Sequence, residues 1–396
     1  MAFDAIRGVI LDVLFVSSKG SQYRYYQALS RAISFSSAVV TLFPGWGIKL
    51  FSSGLSTEVI RLGLDFHLKR KLRKYKKSTP STIAWNLYKG FSALYFSLIY
   101  LKFRYYLAHN KPQLICIWNG HRLPEMAIRL AARGMDIKIA YFENGLLPNT
   151  TTMDFNGVNA FSSLPKNKEF YLEYGQGKSN LSLVDTSLAV RADHKRKKAI
   201  DHGDLTSNLN YIFAPFQVDF DSQVIINSPR VNSMAVFYAF LLEAIESIDD
   251  KNTIFVIKEH PSDPNAYGEL HEKHPRILFT NNNTEDLIRN AQAIITLNSS
   301  VGIEAAMLEK KVIVLGNACY AVDGMVLNVT QQSELVTAIN SLPSWQPNLA
   351  ITHAFFSYLT QEYCLPGAWQ QQVVTIDDSH LVVLEDKISY VINVCH

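Results

Sequence analysis

The feature that most constrains this chain is an alternation. Apolar runs of strand length are separated by stretches with helical spacing, and the pattern occurs twice. In the first half, LDVLFVSS (11–18), SAVVTLF (37–43), LICIWNG (114–120) and DIKIAYFENG (136–145) read as strands. YRYYQALSRAIS (23–34) and PEMAIRLAARG (124–134) read as helices, the second with proline in its first turn and glycine at its end. In the second half, NYIFAPF (210–216), NTIFVIKEH (252–260), RILFT (276–280), AIITLN (293–298) and KVIVLG (311–316) read as strands. Helical patterns stand between and after them at 231–248, 284–291, from 298 to about 310, and 332–342. Strand alternating with helix predicts an α/β chain, with parallel sheets covered by helices on both faces.

The 396 residues suffice for two domains, and 48% hydrophobic with 18% charged residues gives each a core. The pattern weakens over 146–205, so the boundary is expected at about 190–208. The expected plan is a Rossmann-like domain at 1–205 and a second Rossmann-like domain at 206–343. The helical tail at 344–396 is expected to pack back on the first domain. Two such domains facing each other across a cleft are the expected architecture, and ligands of open α/β sheets bind beyond the carboxyl ends of the strands.

Several function classes recede. A net charge of +3 is too mild to argue for nucleic acid, and no nucleic-acid motif is present. The positive charge is clustered, however. KRKLRKYKK (69–77) holds seven basic residues in nine, and RADHKRKK (191–198) is a second cluster. Each is either a solvated face or a patch drawn to an anionic membrane or acceptor. Cys116, Cys319, Cys364 and Cys395 show no metal or disulfide spacing, which suits a reduced, cytoplasmic protein. The first residues form a poor signal peptide. GFSALYFSLIYL (90–101), the most apolar stretch, is too short to span a bilayer and is expected as a buried or interfacial helix. There is no GxGxxG after the first strand and no GxxxxGK[ST], which disfavours a dinucleotide site or P-loop.

Polar residues collect at the strand ends. NSSVGIEAAMLEK (298–310) places Asn298, Ser299 and Ser300 where a strand becomes a helix. Free N–H groups, the helix dipole and two hydroxyls there suit a phosphate, with Glu304 a turn further in, in reach of a ribose hydroxyl. The plainer alternative is a serine N-cap. KEHP (258–261) puts Lys258, Glu259 and His260 at a strand end closed by Pro261, and His260 can donate to a departing phosphate. QVDFDSQ (217–223) supplies Asp219 and Asp221, on one face if extended, one of them a nucleophile or general base. In the first domain SSKGSQ (17–22) offers Ser18, Gly20 and Gln22 on a tight loop, WNGH (118–121) offers Asn119 and His121, and FENG (142–145) offers Glu143 and Asn144. Glu143 is the best acid/base candidate on that side.

PFQVDFDSQ, KEHP and TLNSSVGIEA, in that order and spacing, resemble the bacterial capsule polysaccharide biosynthesis proteins, which include the β-Kdo glycosyltransferases using CMP-Kdo as donor. The resemblance covers about 205–320, and the earlier part only through KGSQ and FENG. It implies a GT-B-like retaining enzyme of surface polysaccharide synthesis, capsule or O-antigen, working without a metal or other cofactor. It implies that Asp221 attacks the sugar, that His260 holds and protonates the CMP phosphate, and that Ser299 and Ser300 bind it. The acceptor saccharide or glycolipid would lie near Gly20, Gln22 and Glu143. The chain would then be cytoplasmic or peripheral at the inner face of the inner membrane, as a whole protein or as a module of a longer one. The additional Asp219 leaves the choice of nucleophile open. Two rival readings stand beside this one: an inverting transferase of CMP-sialic acid type or with another nucleotide sugar, and a polysaccharide-binding subunit with a degenerate transferase fold.

Overall fold

A computed structural model describes residues 11–42, 54–74, 81–177, 209–265 and 267–393. The expected boundary at 190–208 and the second basic cluster at 191–198 lie outside them, as does Cys395. The strands are β1 (Val13–Ser17), β2 (Ser37–Thr41), β3 (Leu114–Trp118), β4 (Lys138–Asn144), β5 (Thr150–Asp154), β6 (Tyr211–Pro215), β7 (Ile254–Lys258), β8 (Ile277–Phe279), β9 (Ala293–Thr296), β10 (Lys311–Val314), β11 (Leu327–Asn328) and β12 (Cys364–Pro366). The helices of the first half are α1 (Gly20–Ala32), α2 (Thr57–Lys74), α3 (Thr82–Asn110), α4 (Glu125–Ala132) and α5 (Lys168–Gly175). Those of the second are α6 (Ser222–Ile225), α7 (Met234–Ser247), α8 (Thr284–Asn290), α9 (Ser300–Met307), α10 (Gln332–Ser341), α11 (Leu349–Tyr358) and α12 (Asp378–Asn393).

These elements form two compact units. The first is drawn from Met1–Leu68, Lys77–Ser163 and Glu362–His396, the second from Lys69–Lys76 and Leu164–Gln361. The divisions therefore differ from those drawn on the sequence. Residues from Leu164 onward already belong to the second unit, because Tyr171 of α5 packs on Phe355 of α11. The chain returns to the first unit at Glu362 rather than at 344.

The first unit is a six-stranded sheet in the order β12-β5-β4-β3-β1-β2. β2, β1, β3 and β4 are parallel, and the hairpin partner β5 and then β12 close the edge with antiparallel pairing. Successive β1 side chains enter opposite cores, as the period of two requires. Val13 and Phe15 meet Tyr25, Tyr26 and the C-terminal Leu384 and Ile388, while Leu14 and Val16 meet Phe96, Phe103 and Ile128. The C-terminal segment is fixed by His380, whose Nε2 pairs with Tyr25 Oη at 2.8 Å and whose Nδ1 pairs with the Pro366 carbonyl at 2.6 Å.

The second unit is a six-stranded sheet in the order β11-β10-β9-β6-β7-β8, parallel throughout. Counted from β6, this is the doubly wound order 3-2-1-4-5-6, and its direction reverses between β6 and β9. Each unit thus has a Rossmann-like sheet, parallel throughout in the second and over β2, β1, β3 and β4 in the first.

Two local expectations change. KGSQ is not a tight loop: α1 begins at Gly20, with extended Lys19 as its N-cap. A Cβ added at Gly20 would meet no atom within 4 Å, so the fold itself does not demand glycine there. The apolar stretch 90–101 is the middle of the 29-residue α3. No helix among the described residues is long and apolar enough to cross a membrane.

Candidate active site

The β6/β9 reversal of the second unit is where a doubly wound sheet opens a crevice beyond its strand ends. Gln217 follows β6 and Asn298 follows β9, and the two side chains meet there. Gln217 Nε2 donates to Asn298 Oδ1 at 3.0 Å, and Gln217 Oε1 accepts the Asn298 backbone N–H at 3.4 Å. Asn298 Nδ2 also reaches the Gln223 carbonyl at 2.9 Å and Ser228 Oγ at 3.1 Å. Asn298 is buried and its amide is used in pinning the β6, α6 and β9 loops together. Its side chain frames the end of the sheet beside the α9 terminus.

The two aspartates of QVDFDSQ are not side by side on an extended strand. They sit in a turn, in different environments. Asp219 is fully buried, and its Oδ1 accepts the Met234 N–H at 2.7 Å at the start of α7. Its own N–H donates to Asp263 Oδ2 at 3.0 Å. Asp221 is half-buried and is the N-cap of α6, its Oδ1 accepting the Gln223 N–H at 3.0 Å and the Ser222 hydroxyl at 3.2 Å. Asp219 thus closes a buried helix end, whereas Asp221 caps a short helix from a half-buried position.

The described part of the basic run meets the same turn. Arg73 donates to the carbonyls of Asp219 (3.2 Å) and Asn232. The Arg70 guanidinium and the Lys74 ammonium stand 5.4 and 5.9 Å from the ring centroid of Phe220, between the two aspartates. These three cations contact the Asp219–Asp221 turn of the second unit, Lys74 while still exposed.

His260 follows β7, and its Nδ1 accepts the Ser262 N–H at 3.1 Å. In the neutral ring the proton then rides on Nε2, which makes Nε2–H the donor. Pro261 is exposed. Glu259 Oε1 pairs with His271 Nε2 at 3.1 Å. Lys258 turns toward the β8–α8 loop, donating to the Asn282 carbonyl at 2.7 Å and Thr284 Oγ1 at 2.9 Å. Its ammonium braces that loop, a role its position at a strand end did not disclose.

Ser299 is the N-cap of α9, its Oγ accepting the Val301 N–H at 3.2 Å. A hydroxyl that accepts there still has its own proton to donate. Ser300 opens the helix and is exposed, and Glu304 is buried within α9. Tyr320 Oη donates to the Ser299 carbonyl at 2.7 Å, and Gly302 lets it approach: a Cβ there would lie 2.2 Å from that oxygen.

The first unit has its own reversal between β1 and β3. Asn119 Nδ2 donates to Glu143 Oε2 at 2.7 Å, joining the ends of β3 and β4. Asn119 and Gly120 both take positive φ, and a Cβ on Gly120 would stand 2.5 Å from the Tyr141 ring. His121 is pushed down to about 4 by burial and then by the Arg129 charge, so it is neutral at physiological pH. Gln22 is buried, and Asn144 Oδ1 accepts Trp369 Nε1–H at 2.8 Å.

Three residues of these networks escaped sequence reading. Asp263 is buried and ties the β7 loop to Asp219 and to Tyr267 Oη at 2.9 Å. Tyr267 is pushed well above its usual range by burial and then by the Asp263 charge. Glu125, bonded to Ser18 Oγ, is raised by burial against the opposing pull of that hydrogen bond. The proline before Glu125 and the aspartate after KEHP were the available signals. Among the described residues no group of three or more His, Cys, Asp or Glu is placed to hold a metal ion.

Residues 181–369 match the family described as "Capsule polysaccharide biosynthesis protein", a span that includes every strand-end cluster of the second unit. The chain is 33% identical over 259 residues to Protein FixF of Sinorhizobium fredii, covering 65% of this chain and 61% of FixF, less than two thirds of that protein's length. It is 27% identical over 273 residues to the capsule polysaccharide export protein KpsS of Escherichia coli, covering 54% of this chain and 69% of KpsS. Among solved structures, the β-Kdo 2,7 transferase of Thermosulfurimonas dismutans KpsC aligns with 97% of this chain and 100% of its own, at 15% identity and a TM-score of 0.49.

Proposed function

Taking the chain as a relative of the capsule polysaccharide biosynthesis proteins, we propose that it is a retaining glycosyltransferase that moves Kdo from CMP-Kdo to a saccharide acceptor. The observation that carries the proposal is the set of polar groups beyond the carboxyl ends of the second unit's strands. A half-buried carboxylate (Asp221), an imidazole donor (His260) and a helix N-terminus with two hydroxyls (Ser299, Ser300) all follow strands of one parallel sheet.

The chemistry follows from the donor. Its anomeric carbon is quaternary and becomes oxocarbenium-like as CMP departs. A carboxylate oxygen of Asp221 gives an electron pair to that carbon while the bond to the phosphate oxygen breaks, and that pair leaves with CMP. His260 Nε2–H and the α9 terminus stabilise the charge arriving on the phosphate. An acceptor hydroxyl then attacks the same carbon from the opposite face and displaces Asp221. Its proton is taken up by a general base as the bond to Asp221 breaks. Two displacements restore the starting configuration. Neither step calls on a metal or cofactor in this proposal.

Donor turnover tests it. Purified protein is expected to release CMP from CMP-Kdo when a saccharide acceptor is supplied, with a product of the same anomeric configuration. An inverted product contradicts the retaining step, and turnover of a different nucleotide sugar instead contradicts the donor.

A further inference from the structure

A sugar that carries its own carboxylate poses an electrostatic problem at a carboxylate nucleophile. Kdo is an ulosonic acid, and its carboxylate is bonded to the same anomeric carbon that leaves CMP. A residue that attacks that carbon therefore receives the sugar's carboxylate alongside its own. Two like charges brought together at a half-buried position repel, and a cation beside them offsets the cost. His260 and the α9 terminus are assigned to the phosphate in the proposed reaction, so the sugar carboxylate needs a cation of its own.

The last turn of α2 brings cations to this place. Arg73 fixes the helix end, donating to the carbonyls of Asp219 at 3.2 Å and of Asn232. Arg70 and Lys74 are four residues apart and share one side of the helix. Both meet Phe220, the residue between the two aspartates, at 5.4 and 5.9 Å from its ring centroid. An aromatic face attracts a cation without cancelling its charge. Lys74 is also exposed, so an anion can reach its ammonium. Two other described cations at the strand ends of this unit are committed elsewhere. Lys258 donates to the Asn282 carbonyl and Thr284 Oγ1, and Arg230 donates to the Thr330 carbonyl.

Resting on the transferase reading above, we infer that Lys74, with Arg70 beside it, receives the carboxylate of the donor sugar and so selects an acidic sugar at the Asp219–Asp221 turn. The described end of the basic run then acts in donor choice.

The experiment titrates the full chain with CMP-Kdo and with CMP, beside an assay of CMP release and of the Kdo adduct. The wild type is expected to bind CMP-Kdo more tightly than CMP, by a margin that shrinks at high salt. Lys74→Gln is expected to weaken CMP-Kdo about tenfold, and Lys74→Gln combined with Arg70→Gln up to about a hundredfold, with CMP affinity unchanged. The unchanged CMP affinity would show that the site is folded, and Lys74→Arg, which keeps the charge, should restore most of the loss. Equal CMP-Kdo affinity in the wild type and Lys74→Gln overturns the inference, and leaves the transferase standing if CMP is still released. A wild type that does not distinguish CMP-Kdo from CMP overturns it too. So does a parallel loss for both ligands, which would put the cations at the phosphate or in the fold. A wild type that prefers CMP-Kdo through Lys74, yet forms no adduct and releases no CMP, upholds the inference and contradicts the transferase.

Discussion

Asp219 Oδ1 accepts the backbone N–H of Met234 at 2.7 Å, whereas Asp221, two residues on, caps the four-residue α6. That difference divides two carboxylates that the sequence leaves equivalent. Asp219→Ala removes a charged acceptor from a buried helix end and is expected to cost about 1–3 kcal/mol of stability. Asp221→Asn keeps a capping oxygen, so its stability should stay within about 0.5 kcal/mol of wild type. Turnover should nevertheless vanish while CMP binding persists. Urea denaturation and CMP titration of both variants check this; a destabilised Asp221→Asn beside a stable, inactive Asp219→Ala would reverse the assignment.

The Gln217–Asn298 pair should behave as a unit. Each single replacement by alanine leaves buried polar partners behind and is expected to cost about 1–3 kcal/mol. The double replacement should cost less than the sum, with a coupling of about 0.5–3 kcal/mol in a double-mutant cycle. Strict additivity would mean that the pair does not hold the two loops together.

Gly302→Ala is expected to weaken CMP binding as well as stability. The added methyl would force Tyr320 Oη off the Ser299 carbonyl and so disturb the α9 N-terminus. Overpacking of this kind costs about 1–3 kcal/mol. Loss of stability with unchanged CMP affinity would separate the α9 terminus from the donor site.

Much of the architecture was legible because a parallel strand is a short apolar run and its crossover helix has a different period. Every strand expected in the second unit is present, shifted by a few residues at its ends. β5 was missed because TTTMD is rich in hydroxyls and pairs antiparallel at the margin of the sheet. β12 was missed because its partner lies more than two hundred residues upstream. The candidate residues were legible by type and position, but their environments were not. Nothing in the letters says that Lys258 turns to the β8–α8 loop, that Asn298 spends its amide on neighbouring loops, or that Asp219 is the buried member of its pair. Those outcomes depend on which loops meet at the sheet reversal, a relationship among segments far apart in the chain.

His121 supplies a pH test of the first unit. Its folded pKa, about 4, lies below the unfolded value near 6.5. Between those values the unfolded chain binds more protons, so stability falls as pH falls through that window and is unaffected by this group above it. Relative to His121→Gln, the wild type should lose up to about 3 kcal/mol between pH 6.5 and pH 4. A difference between the two proteins that does not change with pH would contradict the burial of the ring.

The central claim is that Asp221 attacks the sugar, and intact-protein mass after mixing with CMP-Kdo tests it most directly. The account predicts a gain of one Kdo residue on the wild type and none on Asp221→Asn. No adduct on the wild type under conditions where CMP is still released to an acceptor would contradict it, and would point instead to direct displacement.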